Sequence, residues 1–154
     1  MDTFTPTTRA SLEFGDKGSF CKTISEADVF AFADASGDHN PLHIDEEYAQ
    51  KSVFGRRIVH GILTAGIIST LLGAVIPGVG TIFVELQIRF LKPVFIGDTL
   101  TANGTVTEII NPKRVRLFVA CVNQHGEDVA IGNAIVIPPK ETRVIGTSTE
   151  ERSA

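Results

Sequence analysis

The segment SGDHNPLHIDEEYAQKSVFGRRIVHGILTAGIISTLLG, Ser36 to Gly73, decides how the rest of the chain is read. It opens with a polar turn that carries Asp38, Asn40, Pro41 and His43. It closes in an apolar run, Ile58 to Ile76, with the pair His60-Gly61 at the start of the helical part. We read it as a loop bearing a carboxylate and an imidazole, followed by a buried helix. The run is nearly long enough to span a bilayer. His60, Thr64, Ser69, Thr70 and several glycines interrupt it, however, and no belt of Trp or Tyr flanks it, which favours a buried helix.

Toward the N-terminus, Met1 to Arg9 is Thr-rich and without periodicity, and is expected to be a loose end. Phe20 and Ile24 mark a short extended segment, Ser19 to Ile24. Ser25-Glu26-Ala27-Asp28 then forms a capping-box-like helix start, with Val29, Phe30, Phe32 and Ala33 at helical spacing behind it. That helix should end near Ser36-Gly37. Pro41 biases Asn40 away from helix and predicts an extended path for Leu42-His43-Ile44. Asp45 to Gln50 reads as a short helix with acids in its first turn. Gly61, having no side chain at the start of the long helix, lets its amide come close to a ligand.

Beyond Pro77-Gly78 the period changes to two. Ile82, Val84, Leu86, Ile88 and Phe90 alternate with Phe83, Glu85, Gln87 and Arg89, as in a half-buried strand. Further strands are expected from Thr99 to Ile109, Lys113 to Asn123 and Asp128 to Ile137. The short connections predict an antiparallel meander. The class is therefore α+β: an antiparallel sheet of about five strands wrapped around one long central apolar helix. We assign one domain to residues 10–140, with flexible ends at 1–9 and 141–154.

A length of 154 residues with 43% hydrophobic content suits one domain with a real core. The net charge of −4, with no dense Lys/Arg run, offers no footprint for nucleic acid or an anionic membrane. Cys21 and Cys121 lack the close spacing of zinc or redox motifs, so both are expected to be reduced and buried. The N-terminal MDTFTPTTRA has no apolar signal core, and the expected location is the cytoplasm. No Gly-rich phosphate loop and no nucleophile elbow occur, so neither a nucleotide cofactor nor a serine nucleophile is supported. No metal site is expected, because Asp38, His39 and His43 share no helical frame and there is no thiolate cluster.

The stretch Gly37 to Asp45, then Phe54-Gly55, Ile58-Val59-His60-Gly61 and Ser69-Thr70-Leu71-Leu72-Gly73, resembles the signature of the MaoC-like (R)-specific enoyl-CoA hydratases. The similarity continues through Pro77-Gly78-Val79-Gly80, Phe90 to Val94 and Gly97-Asp98, covering about Ser19 to Ile137. It implies a hot-dog fold, a homodimer, no cofactor, and reversible syn addition of water to a trans-2-enoyl-CoA. An acyl carrier protein is the alternative thioester carrier. It also implies Asp38 and His43 as the catalytic dyad, the Gly61 backbone amide as oxyanion donor, and Ser69 as a support hydrogen-bonded to the catalytic carboxylate. Such a reaction needs a base to take a proton from water as it attacks C3 and an acid to deliver one at C2. A carboxylate and an imidazole meet both needs, as a coupled pair.

Asn40 is expected to hold the loop, and His60 to support the backbone at the helix start. His39 and His125 are expected to be solvated. Arg56, Arg57, Arg89 and Lys92 are the cations offered for the carrier's phosphates. Taken alone, Asp38 could be an Asx-turn residue, His43 a core histidine and Ser69 an ordinary helix serine. A 3-hydroxyacyl dehydratase acting on carrier protein, a hot-dog thioesterase and a non-catalytic acyl-thioester binder remain as alternatives.

Overall fold

A computed structural model describes residues 11–140. The expectations for residues 1–9 and 141–154 lie outside the described residues. In chain order the elements are β1 (Lys17–Thr23), α1 (Glu26–Ser36), α2 (Pro41–Ile44), α3 (Glu46–Gln50), α4 (Gly61–Thr70), β2 (Ile82–Phe90), β3 (Thr99–Asn111), β4 (Arg114–Val122) and β5 (Asp128–Ile137). A π-helical turn, Leu71–Val75, extends α4. The five strands form one antiparallel sheet in the order β1-β3-β4-β5-β2. Its concave face wraps α4, which is the hot-dog arrangement.

The local signals explain the elements nearest the loop that carries Asp38. Ser25 Oγ accepts from the Asp28 amide at 3.1 Å, while Asp28 Oδ2 accepts from the Ser25 amide at 2.8 Å, a reciprocal capping box that starts α1. At the other end, Gly37 closes α1 in a left-handed conformation with φ +80° and donates to the Ala33 carbonyl. That reversal sends the chain back toward α4.

The core lies between helix and sheet. Ile67, Ile68, Leu71 and Leu72 from the helix meet Leu100, Ala102, Val106, Leu117, Val119, Cys121 and Ala134 from the strands, all buried. Burying side chains of this size from water is worth about 1.5–3 kcal/mol each, and this packing rather than helix propensity holds α4 in place.

Four expectations need correction. Leu42-His43-Ile44 is not extended but forms the short helix α2. Asn40 does stay out of the helix, yet Pro41 occupies the first helical position, where its fixed φ suits a helix and its missing N–H costs nothing. Second, the meander covers only β3, β4 and β5, because β2 pairs with β5 at the far edge and not with β3. The link from Leu91 to Asp98 bridges this distance, bonding to Val129 at one end, Val59 in the middle and Ile24 at the other.

Third, β2 is not half-buried throughout. A register shift between Phe83 and Glu85 breaks the alternation, and Ile82, Val84 and Phe90 stay exposed while only Leu86 and Ile88 pack on the core. Likewise α4 is buried on one face only, with Ile62 62% exposed and Gly66, Ser69 and Thr70 beside it exposed too. Fourth, Cys21 is exposed and Cys121 buried, both as free thiols. The low dielectric around Cys121 pushes its thiol up to about 12, which makes it inert as a nucleophile.

Candidate active site

The loop between α1 and α2 is built from short side-chain-to-backbone bonds. Ser36 Oγ donates to the Phe32 carbonyl and accepts from the Asp38 amide. Asp38 Oδ1 accepts from the Asn40 amide at 3.2 Å, and Asn40 Oδ1 accepts from the Leu42 amide at 3.1 Å. Asn40 thus caps α2 and fixes the turn, as its position suggested. Asp38 is both an Asx-turn residue and a member of the cluster described next, so the two readings of it are not exclusive.

His43, on α2, is buried. Its Nδ1–H donates to the Ile58 carbonyl at 2.7 Å, which fixes the ring orientation and leaves Nε2 as the free nitrogen. His60, the residue before α4, is 1% exposed and donates from Nε2 to the Asp38 carbonyl at 3.0 Å. Its ring lies between Phe32 and His43, with centroids 4.7 and 3.9 Å away. Burial is the main force holding the His60 pKa below its usual value, so this imidazole is neutral at pH 7. Its Nδ1 has no partner.

Asp38, His43 and His60 each present a carboxylate or imidazole atom within 4.8 Å of the other two. No direct hydrogen bond joins the side chains of Asp38 and His43, which bond instead to the Asn40 amide and the Ile58 carbonyl. The spacing suits two groups that share one water between them. One carboxylate and two imidazoles are also a set that ligates transition metals, and this is the one such trio among the described residues. It includes His60 in place of His39, which turns away to an ion pair with Asp34. That partner raises the His39 pKa.

Gly61 opens α4 directly after His60. First-turn amides of a helix have no partner within it, and no side chain caps this end. Gly61 also lines an apolar cavity of about 380 Å³ with Phe54, Ile58, Thr64, Phe90 and Leu91. The Phe90 ring lies so close that a Cβ on residue 61 would stand 3.1 Å from it, tighter than ordinary contact. Glycine here admits the ring as well as exposing the amide. Asp38 and His43 do not line this cavity; His60-Gly61 connects the two, with His60 against the His43 ring and bonded to the Asp38 backbone carbonyl on one side and Gly61 at the cavity on the other.

Ser69 lies on the exposed face of α4 and bonds to no side chain among the described residues, so the expected bond to Asp38 is not formed among them. Sequence reasoning missed three contributors: the Ile58 carbonyl that orients His43, Phe32 against His60, and Phe90 over Gly61. All three are contacts between distant segments and leave no local signal. Arg57, by contrast, is structural. It joins α1 to α3 through Glu26 at 2.5 Å and Glu46 at 3.1 Å.

A family model described as "MaoC like domain" matches residues 15–127. An (R)-specific enoyl-CoA hydratase of Rhodospirillum rubrum is 46% identical over 125 residues, covering 81% of this chain and 87% of its own. A 3-hydroxybutyryl-CoA dehydratase of Methylorubrum extorquens is 41% identical over 84% of this chain and 83% of its own. Among solved structures, an unliganded R-hydratase from Pseudomonas aeruginosa superposes with a TM-score of 0.83 at 38% identity, covering 88% of both chains. With the signature, the fold and these likenesses in agreement, the chain belongs to the MaoC-like domain family.

Proposed function

We infer that this protein is an (R)-specific enoyl-CoA hydratase, adding water reversibly and syn to a trans-2-enoyl-CoA. The observation that carries the reading is the gathering of Asp38 and His43 beside a helix whose uncapped first turn borders an apolar cavity. The likeness to a named (R)-specific hydratase over most of both chains supports it.

In this mechanism the acyl chain enters the cavity and the thioester carbonyl meets the Gly61 amide. Asp38 and the free Nε2 of His43 hold one water between them. Asp38 takes its proton as the oxygen bonds to C3, and His43 takes part in delivering a proton to C2 on the same face. Negative charge accumulates on the carbonyl oxygen in the enolate-like transition state, where the helix-start amide stabilises it. General acid–base groups of this kind contribute about 10²–10⁴ in rate. The neutral His60 ties the Asp38 backbone to the helix start and so keeps the base and the oxyanion donor in register.

The same reading makes the protein a homodimer. The free edge of β2 carries exposed apolar side chains and the exposed face of α4 carries Ile62, and an open edge is a template for a second copy. Ser69 sits on that face, where a partner would cover it. A reducing, cytoplasmic setting belongs to this reading too, and is supported by two free cysteines that cannot pair, one exposed and one buried. Among the described residues no helix is long and apolar enough to cross a membrane.

The test is to incubate the purified protein with crotonyl-CoA. The expected result is loss of the enoyl absorbance with formation of (R)-3-hydroxybutyryl-CoA. Release of free thiol with the double bond intact would indicate a thioesterase, and an (S) product or no change would contradict the assignment.

A further inference from the structure

Two depressions on this molecule share Lys92 and Pro93 in their walls. One is the apolar cavity beside Gly61. The other, about 430 Å³, is polar and is lined by Arg56, Phe95, Asp98, Gln124, His125 and Glu127 among others. None of these six has a part in the chemistry assigned above.

The cations around the site divide sharply by how they are neutralised. Arg57 is held by Glu26 and Glu46, and Lys92 pairs with Glu127. Arg89 lines a separate depression with Phe118 and Asn133. Arg56 has no carboxylate within ion-pair distance among the described residues. Its guanidinium lies 3.7 Å over the Phe95 ring, which fixes its plane and leaves its N–H edges free to meet an oxyanion.

The acids in the same depression are already engaged. Asp98 accepts from the Phe95 amide at 2.9 Å through Oδ2 and from Gln124 Nε2 at 2.8 Å through Oδ1. Glu127 accepts from Asn123 Nδ2 as well as from Lys92, and the Lys92 ammonium holds its pKa below the usual carboxylate value. Arg56 is therefore the one cation of this depression left to answer a ligand's charge.

We propose that the polar depression seats the phosphate-bearing arm of the thioester carrier, with Arg56 as the phosphate ligand. The inference rests on the enoyl-thioester reading above. An acyl group in the cavity beside Gly61 has its carrier emerging at the mouth, and the polar depression adjoins that mouth through Lys92 and Pro93. The phosphate itself has two sources, CoA or the phosphopantetheine of a carrier protein.

Three substrates separate these cases: crotonyl-pantetheine, which has no phosphate, crotonyl-4′-phosphopantetheine, and crotonyl-CoA. Relative to the native protein, Arg56→Ala should lower the ratio of kcat/KM for crotonyl-CoA to that for crotonyl-pantetheine about tenfold, through KM, as expected for a charge-assisted phosphate bond. Arg56→Lys, keeping charge but not the stacked fork, should fall between. A loss shared by the phosphopantetheine thioester assigns the arm's own phosphate; a loss confined to CoA assigns the nucleotide phosphates. An unchanged ratio overturns the proposal. Calorimetric titration with free CoA and free pantetheine needs no turnover. The native preference for CoA should shrink in Arg56→Ala, and a preference that persists also overturns the proposal. If the native protein hydrates none of the three thioesters, the hydratase reading fails, while the titration still judges the depression.

Discussion

Two regions of this molecule treat their side chains in opposite ways. In the corner formed by residues 37–61, the polar groups of the cluster and its loop are tied to the chain's own backbone: His43 to Ile58, His60 to Asp38, Asn40 to Leu42. Along β2 and the outer face of α4, apolar side chains are left uncovered, with Ile82 59% and Phe90 48% exposed. The first region spends its bonds on holding a geometry. The second has surface to bury against another molecule. The cluster proposed for catalysis at Asp38 and His43 is thus assembled within one chain, whereas the face that carries Ser69 is left open.

Asp38→Asn and His43→Gln remove acid–base capacity without removing volume, and each should lower crotonyl-CoA hydration about 10³-fold with an unchanged melting temperature. Equal loss of folding would mean that these side chains serve structure instead. Gly61→Ala should cost about tenfold in kcat, since the new methyl group must displace Phe90 or shift the amide by tenths of an ångström. Alanine's better helix propensity, worth about 1 kcal/mol, should keep the protein folded. Full activity in this variant would show that the fit of Phe90 on Gly61 does not matter.

In the second region the native protein should scatter light as a dimer, and Val84→Asp, on the exposed edge strand, should halve its mass. A native monomer, or a variant that stays dimeric, would remove β2 as the contact. The smallest effect concerns acid. The folded pKa of His60 lies below the unfolded value of 6.5, so the unfolded chain takes up the proton first. Stability is then whole above about pH 6.5 and declines as pH falls toward the lowered value. His60→Gln should show a shallower decline of melting temperature between pH 7 and 5. A steeper one would mean that His60 is charged in the folded state.

The features legible in the sequence were those set by neighbours in the chain. Ser25 and Asp28 announced α1 because a capping box closes over three residues, and Asp128 to Ile137 was bounded by turns on both sides. Asp38 and His43 could be singled out only through the pattern around them, since Asp and His in a turn mean little by themselves; the structure brings their side chains within 4.8 Å of each other. Strand order was not legible. β2 reads like a partner for β3, and only the bonds from Leu91 to Val129, Val59 to Val94 and Gly97 to Ile24 show that its exit crosses the end of the sheet. The burial of His60 was also hidden, because Phe32 and His43 enclose it from other elements. Ser69 teaches the converse: the signature marks it, yet no side chain among the described residues bonds to it.

On the proposed mechanism, Asp38 and His43 act as one unit on a single water. The most direct measurement is kcat/KM for crotonyl-CoA in Asp38→Asn, His43→Gln and the double variant, with folding checked in each. One shared step predicts that the double variant is about as slow as either single variant. Losses that multiply would contradict it and assign the two side chains to separate tasks.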